Sequence, residues 1–188
     1  MNLCESCNSA DAKIVLSLEP ISMHLCTNCY NELMAKDLDL KLGQLPETFS
    51  LKDYQRITRI FHVERRIDPL GIYMEASELI EFGYKFAVHG ELGCDQQELL
   101  TKLIDKTRKG ISKQQVKTEV FPNGQIYNSI IDDQITGMIE YDETSEDTPL
   151  VIIDGKPFTW EEVGKILMSY EGFQIKFKMF DMTDDIEK

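Results

Sequence analysis

Four cysteines stand in two pairs of identical spacing: Cys4-Glu5-Ser6-Cys7, eighteen intervening residues, then Cys26-Thr27-Asn28-Cys29. A two-residue gap lets one tight turn aim two thiolates at a single point. The longer interval leaves room for a short hairpin that returns the second pair beside the first. Four thiolates gathered this way meet the tetrahedral demand of zinc, whose bonds to sulfur are about 2.3 Å long. The competing chemistries are a redox dithiol and two disulfides. A redox CxxC usually occurs once, near a βαβ pattern, and disulfides need an oxidising compartment. The expectation is one structural Zn2+ ion on Cys4, Cys7, Cys26 and Cys29, with no open position for a catalytic water.

Other reactive side chains are scattered. His24 lies two residues before Cys26 and reads as a strand residue beside the metal rather than a ligand. Cys94 is the odd thiol, just before an expected helix, and reads as a partly buried spectator. His62 and His89 both fall on the polar face of expected strands, near Glu64, Arg66 and Lys85, where a general base or a second metal site is conceivable. Asp154-Gly155-Lys156, downstream of Glu140 and Asp142, has the acid–x–Lys pattern of metal-dependent nucleases, but Asp-Gly is also a common hairpin turn. The acidic run 142–147 lacks the alternating oxygen ligands of a calcium loop. No phosphate-binding glycine loop, dinucleotide fingerprint, nucleophile elbow or HExxH motif is present.

The elements that must position the cysteines follow from pattern. Residues 13–18 read as a strand, Glu19-Pro20 as a turn and residues 21–25 as the returning strand. Tyr30, Leu33, Met34 and Leu38 then recur at helical spacing, placing the second cysteine pair at a helix start, where free N–H groups favour thiolate. A unit of about 40 residues buries too little surface to fold unaided, so metal replaces core.

On these residues, together with Ala12 and His24-Leu25 ahead of Cys26, positions 1–35 resemble the first zinc module of McsA-type modulators of bacterial protein-arginine kinase. The resemblance implies a non-catalytic module that mediates protein contacts. It extends to the four metal ligands alone, because the further CxxC pairs and the C-terminal coiled segment of that family are absent here.

Residues 41–52, with Gly43 and Pro46, read as a linker. Beyond it, Phe61, Val63 and Ile67 alternate with His62, Glu64 and Arg66; Ile72, Met74 and Ala76 line up next; Phe82, Tyr84, Phe86 and Val88 follow. Period-2 patterns of this kind describe strands with one buried face. Asp95 and Glu98 open a helix with the stripe Leu99, Leu100, Leu103, Ile104 and a stop at Gly110. Strands are expected near 126–131, 135–141 and 150–153. A capping box, Thr159-Trp160-Glu161-Glu162, starts a helix whose buried side is Trp160, Val163, Ile166, Leu167 and Tyr170. Ile175, Phe177 and Met179 suggest a last strand, followed by a frayed acidic tail. The stretch 149–174, Pro-Leu-Val-Ile-Ile-Asp-Gly-Lys through Trp-Glu-Glu-Val-Gly-Lys-Ile-Leu to Tyr-Glu-Gly-Phe-Gln, resembles the C-terminal part of a group of uncharacterised bacterial proteins, which implies a shared domain and no activity.

The expected architecture is α+β. A small four-cysteine module of zinc-ribbon or treble-clef type (1–40) precedes a linker (41–52). A mainly antiparallel sheet with two helices (53–182) and an acidic tail (183–188) follow.

Charge narrows the partners. The 188 residues carry 33 acids against 20 bases, a net −13, and no Lys or Arg occurs from Thr118 to Gly155. A phosphate-binding surface needs the opposite balance, so nucleic acid and anionic membranes are disfavoured. No run approaches the roughly 20 apolar residues of a membrane span. The opening Met-Asn-Leu-Cys4 lacks the basic and apolar parts of a secretory signal, which points to the cytoplasm. These features predict a non-enzymatic, cytoplasmic zinc-binding adaptor or regulatory module. Its partner would be another protein, with a basic effector the kind its charge attracts. The alternatives are an enzyme using His62 and His89 or a nuclease-like corner at Asp154 and Lys156, and a zinc-ribbon nucleic-acid regulator.

Overall fold

A computed structural model describes residues 2–18 and 21–186 of the chain. The turn expected at Glu19-Pro20 lies outside the described residues. Every strand pairing is antiparallel, and the architecture is α+β, a small four-cysteine module followed by antiparallel sheets.

The first module is the hairpin β1 (Ile14–Leu18) and β2 (Ile21–Leu25) followed by α1 (Thr27–Asp37). A four-stranded sheet comes next, in the order β3 (Thr48–Lys52), β4 (Thr58–Asp68), β5 (Gly71–Glu78) and β6 (Lys85–Gly90), with α2 (Gln96–Ile111) packed on β5 and β6. Its core gathers Phe61, Ile67, Ile72, Met74, Leu103 and Ile111, all fully buried, with Met34 and Ala35 of α1 completing it. A meander is the economical way to build such a sheet, because each strand is joined to its neighbour by a short turn.

The remaining elements surround a separate, smaller core of Val116, Ile153 and Ile166. They are the hairpin β7 (Val116–Val120) and β8 (Ile126–Ile130), the three-stranded sheet β9 (Met138–Glu140), β10 (Leu150–Ile153) and β11 (Lys156–Phe158), and α3 (Trp160–Leu167), which ends in a single 3-10 turn at Met168–Tyr170. This part meets the four-stranded sheet and its helix at several points. Lys85 pairs with Glu140, and Gly155 lies so close to Tyr84 that a Cβ there would stand 2.8 Å from the ring.

Local signals account for the element boundaries. Asp95 caps α2 by accepting from the N–H groups of Gln97 and Glu98, and Thr159 with Glu162 forms both halves of the capping box on α3. Asp154 and Gly155 have φ of 53° and 68°, the mirror-image turn that suits the twist of a two-residue hairpin.

Several expectations give way. Thr48–Lys52, read as linker, is strand β3, paired along its length with β4. Gly110 does not stop α2, which runs to Ile111; it lets the helix approach Phe86, whose ring a Cβ at that position would meet at 2.2 Å. Trp160 is 38% exposed, so the buried side of α3 is Val163 and Ile166. Residues 173–180 form no strand, because no neighbouring chain segment pairs with them. The tail is not frayed through Asp184: the Lys106 ammonium donates to the carbonyls of Met182 and Asp184, each at 2.7 Å.

Candidate metal centre

The hairpin and helix bring the two cysteine pairs together as their spacing requires. Cys4 sits in a turn where its carbonyl accepts from the Asn8 N–H at 2.9 Å and its N–H donates to Ala10. Asn8 closes that turn with φ of 53°, a left-handed conformation that Asn tolerates. Cys26 is the N-cap of α1, its sulfur accepting from the Cys29 N–H at 3.5 Å. The Sγ atoms of Cys4, Cys7, Cys26 and Cys29 all lie within 4.8 Å of one another, and Cys7 and Cys26 are 3.9 Å apart. A tetrahedron with bonds of about 2.3 Å has edges of roughly 3.8 Å, so the donor set fits a four-sulfur metal ion. Cys4 and Cys26 are buried, and Leu25 packs with them in a small cluster of their own.

The thiol pKa values are displaced in opposite directions. Cys7 is lowered to about 6 by the Ser9 hydroxyl and N–H, and Cys4 is lowered by the N–H groups of Cys26 and Cys7. Cys29 is raised to about 12; the Ser6 hydroxyl lowers it, but the adjoining Cys26 sulfur, burial and the other two thiols outweigh that help. Four thiolates so close repel each other until a cation compensates them, and a divalent metal supplies that charge. His24 donates its backbone N–H to Glu5, and among the described residues the metal-competent group consists of the four cysteines without it.

The two histidines do not assemble. His62 pairs with Ser77 across β4 and β5, whereas His89 pairs with Tyr73 across β5 and β6. Four residues along the strand and two strand spacings across separate them by roughly 16 Å, too far for a shared ion or a direct proton relay. They share a face, as their alternation implied, but occupy opposite corners of it. Asp154, read as a nuclease-like carboxylate, is 7% exposed and accepts from the N–H groups of Gln115 and Val116, both at 2.9 Å. It pins the start of β7 to the β10–β11 turn through Oδ2, while its buried Oδ1 has no hydrogen-bond partner among the described residues and Lys156, exposed in β11, lines the same pocket. Replacing Asp154 with Ala strands two backbone donors, one of them buried. We expect a loss of about 2–4 kcal/mol in urea unfolding; unchanged stability would show that the carboxylate pins nothing. Asp142 accepts from the hydroxyl and N–H of Thr144 and closes a local turn. Burial pushes the Cys94 thiol up, away from a reactive thiolate.

Two arrangements were missed in the sequence. Asn31 of α1, 4% exposed, donates to the Arg65 carbonyl at 2.6 Å and accepts from the Ile67 N–H at 2.9 Å, fastening the four-cysteine module to β4. Arg59 bridges the buried carboxylates of Asp53 and Glu78 at 2.9 and 3.0 Å. A polar residue on an otherwise apolar helix stripe was the available sign of the first; the second depends on strand register, which spacing does not encode.

Fold and site together define a three-part chain: a four-cysteine module capable of holding a metal, a four-stranded sheet with one helix, and a smaller α+β unit. In particular, residues 3–41 match the family "Domain of unknown function (DUF7685)", residues 43–112 match "Domain of unknown function (DUF7686)" and residues 115–184 match "Domain of unknown function (DUF7713)". No curated protein and no solved structure matches the chain. Among the described residues, no helix is long and apolar enough to cross a membrane.

Proposed function

We propose that this chain is a non-enzymatic cytoplasmic protein that binds one structural zinc ion and serves as an adaptor or regulatory module for another protein. The observation that carries the reading is the four-sulfur group. A shell closed by four thiolates leaves no site for substrate or activated water, so the metal's contribution is to hold a recognition surface in shape. The separation of His62 from His89 agrees with it. So does the resemblance of residues 1–35 to the zinc module of the McsA-type modulators, although the kinase partnership of that family does not follow from it.

The net charge of −13 favours a basic partner, steering it into encounter and weakening with salt. The test is affinity capture with the full chain in its native host, followed by stopped-flow association with the captured protein. The expected result is a specific basic partner whose association rate falls steeply as ionic strength rises. Recovery of no specific protein, or a rate indifferent to salt, contradicts the proposal.

A further inference from the structure

Residues 173–180 have the pattern of a β-strand and the surroundings of none. Phe173, Ile175, Phe177 and Met179 alternate with Gln174, Lys176 and Lys178, and the four apolar side chains are 62–73% exposed. From 173 to 181 the backbone makes no turn or bend, and among the described residues the only backbone hydrogen bond in 173–180 is the Phe173 N–H to Tyr170. Both ends are nevertheless tied. Tyr170 donates to Asp133 at 2.8 Å before the segment, and Lys106 holds the carbonyls of Met182 and Asp184 after it. A segment fixed at both ends, with free N–H and C=O groups and an apolar face, has already lost much of the entropy that strand pairing costs.

The chain also contains an edge that suits it. β9 is the outer strand of its sheet, and Ile139 and Tyr141 stand 51% and 69% exposed at the same two-residue spacing as Ile175 and Phe177. Charge is complementary as well: the segment 172–180 contains two lysines and no acid, whereas Thr118 to Gly155 contains nine acids and no base. Glu143, Glu146 and Asp147, all exposed, follow directly after β9. Two copies of the bare 173–180 strand pairing with each other in the register that stacks the apolar faces most fully would set Lys176 against Lys176, which is unfavourable.

We propose that residues 173–180 add as a strand to the β9 edge of a second copy of this chain, reciprocally, giving a dimer. Ile175 and Phe177 of one copy cover Ile139 and Tyr141 of the other, and Lys176 and Lys178 face its acidic 142–147 loop. Because the contact is partly ionic, its strength depends on salt.

The test is sedimentation equilibrium of the full zinc-loaded chain at about 50 mM and about 500 mM salt, with the Lys176→Glu/Lys178→Glu variant alongside. Both lysines are exposed, so the variant should fold normally, which circular dichroism checks. Amide exchange of residues 174–179 is followed against protein concentration. The expected result is a dimer that the charge reversal weakens roughly tenfold or more, with the gap between wild type and variant largest at low salt, where the local pairing is least screened, and with those amides protected only in the dimer. A monomer at every concentration, a dimer indifferent to the charge reversal, or amides protected equally in a monomer would each overturn the proposal.

Discussion

Chelation of the metal is expected to destabilise the four-stranded sheet as well as the N-terminal module. Cys26 caps α1 and Cys29 lies within it, while two turns' worth of the same helix serve the neighbouring core: Asn31 satisfies Arg65 and Ile67, and Met34 and Ala35 pack among the buried residues. An isolated helix of 11 residues is marginal in water. Losing the metal, which stabilises such modules by on the order of 10–16 kcal/mol, therefore frees the cap and loosens Asn31, the side chain that accepts from the Ile67 N–H. The sheet should then melt at lower temperature, with earlier amide exchange at Ile67. Asn31→Ala reproduces the sheet's share while leaving the cysteines in place; leaving that N–H and the Arg65 carbonyl unpaired costs about 2–4 kcal/mol. A sheet transition that is the same with and without chelator would mean the two parts are energetically independent.

Arg59→Ala should be among the most damaging substitutions of a polar residue in the chain. The Asp53 and Glu78 side chains are 0% and 4% exposed, and Arg59, itself 18% exposed, is the cation paired with both. Removing it leaves two buried negative charges uncompensated, a loss of about 3–5 kcal/mol. The pH dependence follows from Asp53. Burial raises its pKa, but the Ile57 N–H, Arg59 and the Gln55 N–H together hold it below the ordinary carboxylate value. A carboxyl depressed in the folded state stabilises the protein above its unfolded pKa of about 3.9, and that stability disappears as pH falls through the lower folded value. The wild type should thus lose this contribution progressively below about pH 5, whereas in Arg59→Ala burial is less offset, Asp53 takes up its proton at higher pH, and the deficit against wild type narrows as the solution is acidified. Urea unfolding of both proteins between about pH 7 and pH 4 measures the difference; parallel curves would exclude Arg59 from this role.

What could be read in the sequence divides along the range of the interactions. The cysteine pairs, the Asp95 cap, the Thr159–Glu162 box and the Asp154-Gly155 turn are complete within a few residues, so their patterns carry their meaning. β3 was hidden because Thr48–Lys52 buries only alternate residues part-way, as the edge of a sheet does, and its neighbours Gly43 and Pro46 suggest loop. β7, with Lys117, Thr118 and Glu119 at its centre, has little apolar pattern of its own and is held by a carboxylate 38 residues away. His62 and His89 show how alternation assigns a face while leaving position along the face to register. Residues 173–180 fail in the opposite sense: their pattern is that of a strand, but a strand also needs a neighbour.

In the first forty residues metal is expected to take the place of a hydrophobic core. Elemental analysis of purified wild-type chain beside the Cys26→Ser variant, with cobalt substitution to register sulfur ligation by its absorption, addresses it directly. The expected result is one zinc per chain, thiolate-to-cobalt absorption of a tetrahedral four-sulfur site, and loss of both in the variant. A metal-free protein whose N-terminal module stays folded in strong chelator would contradict the account.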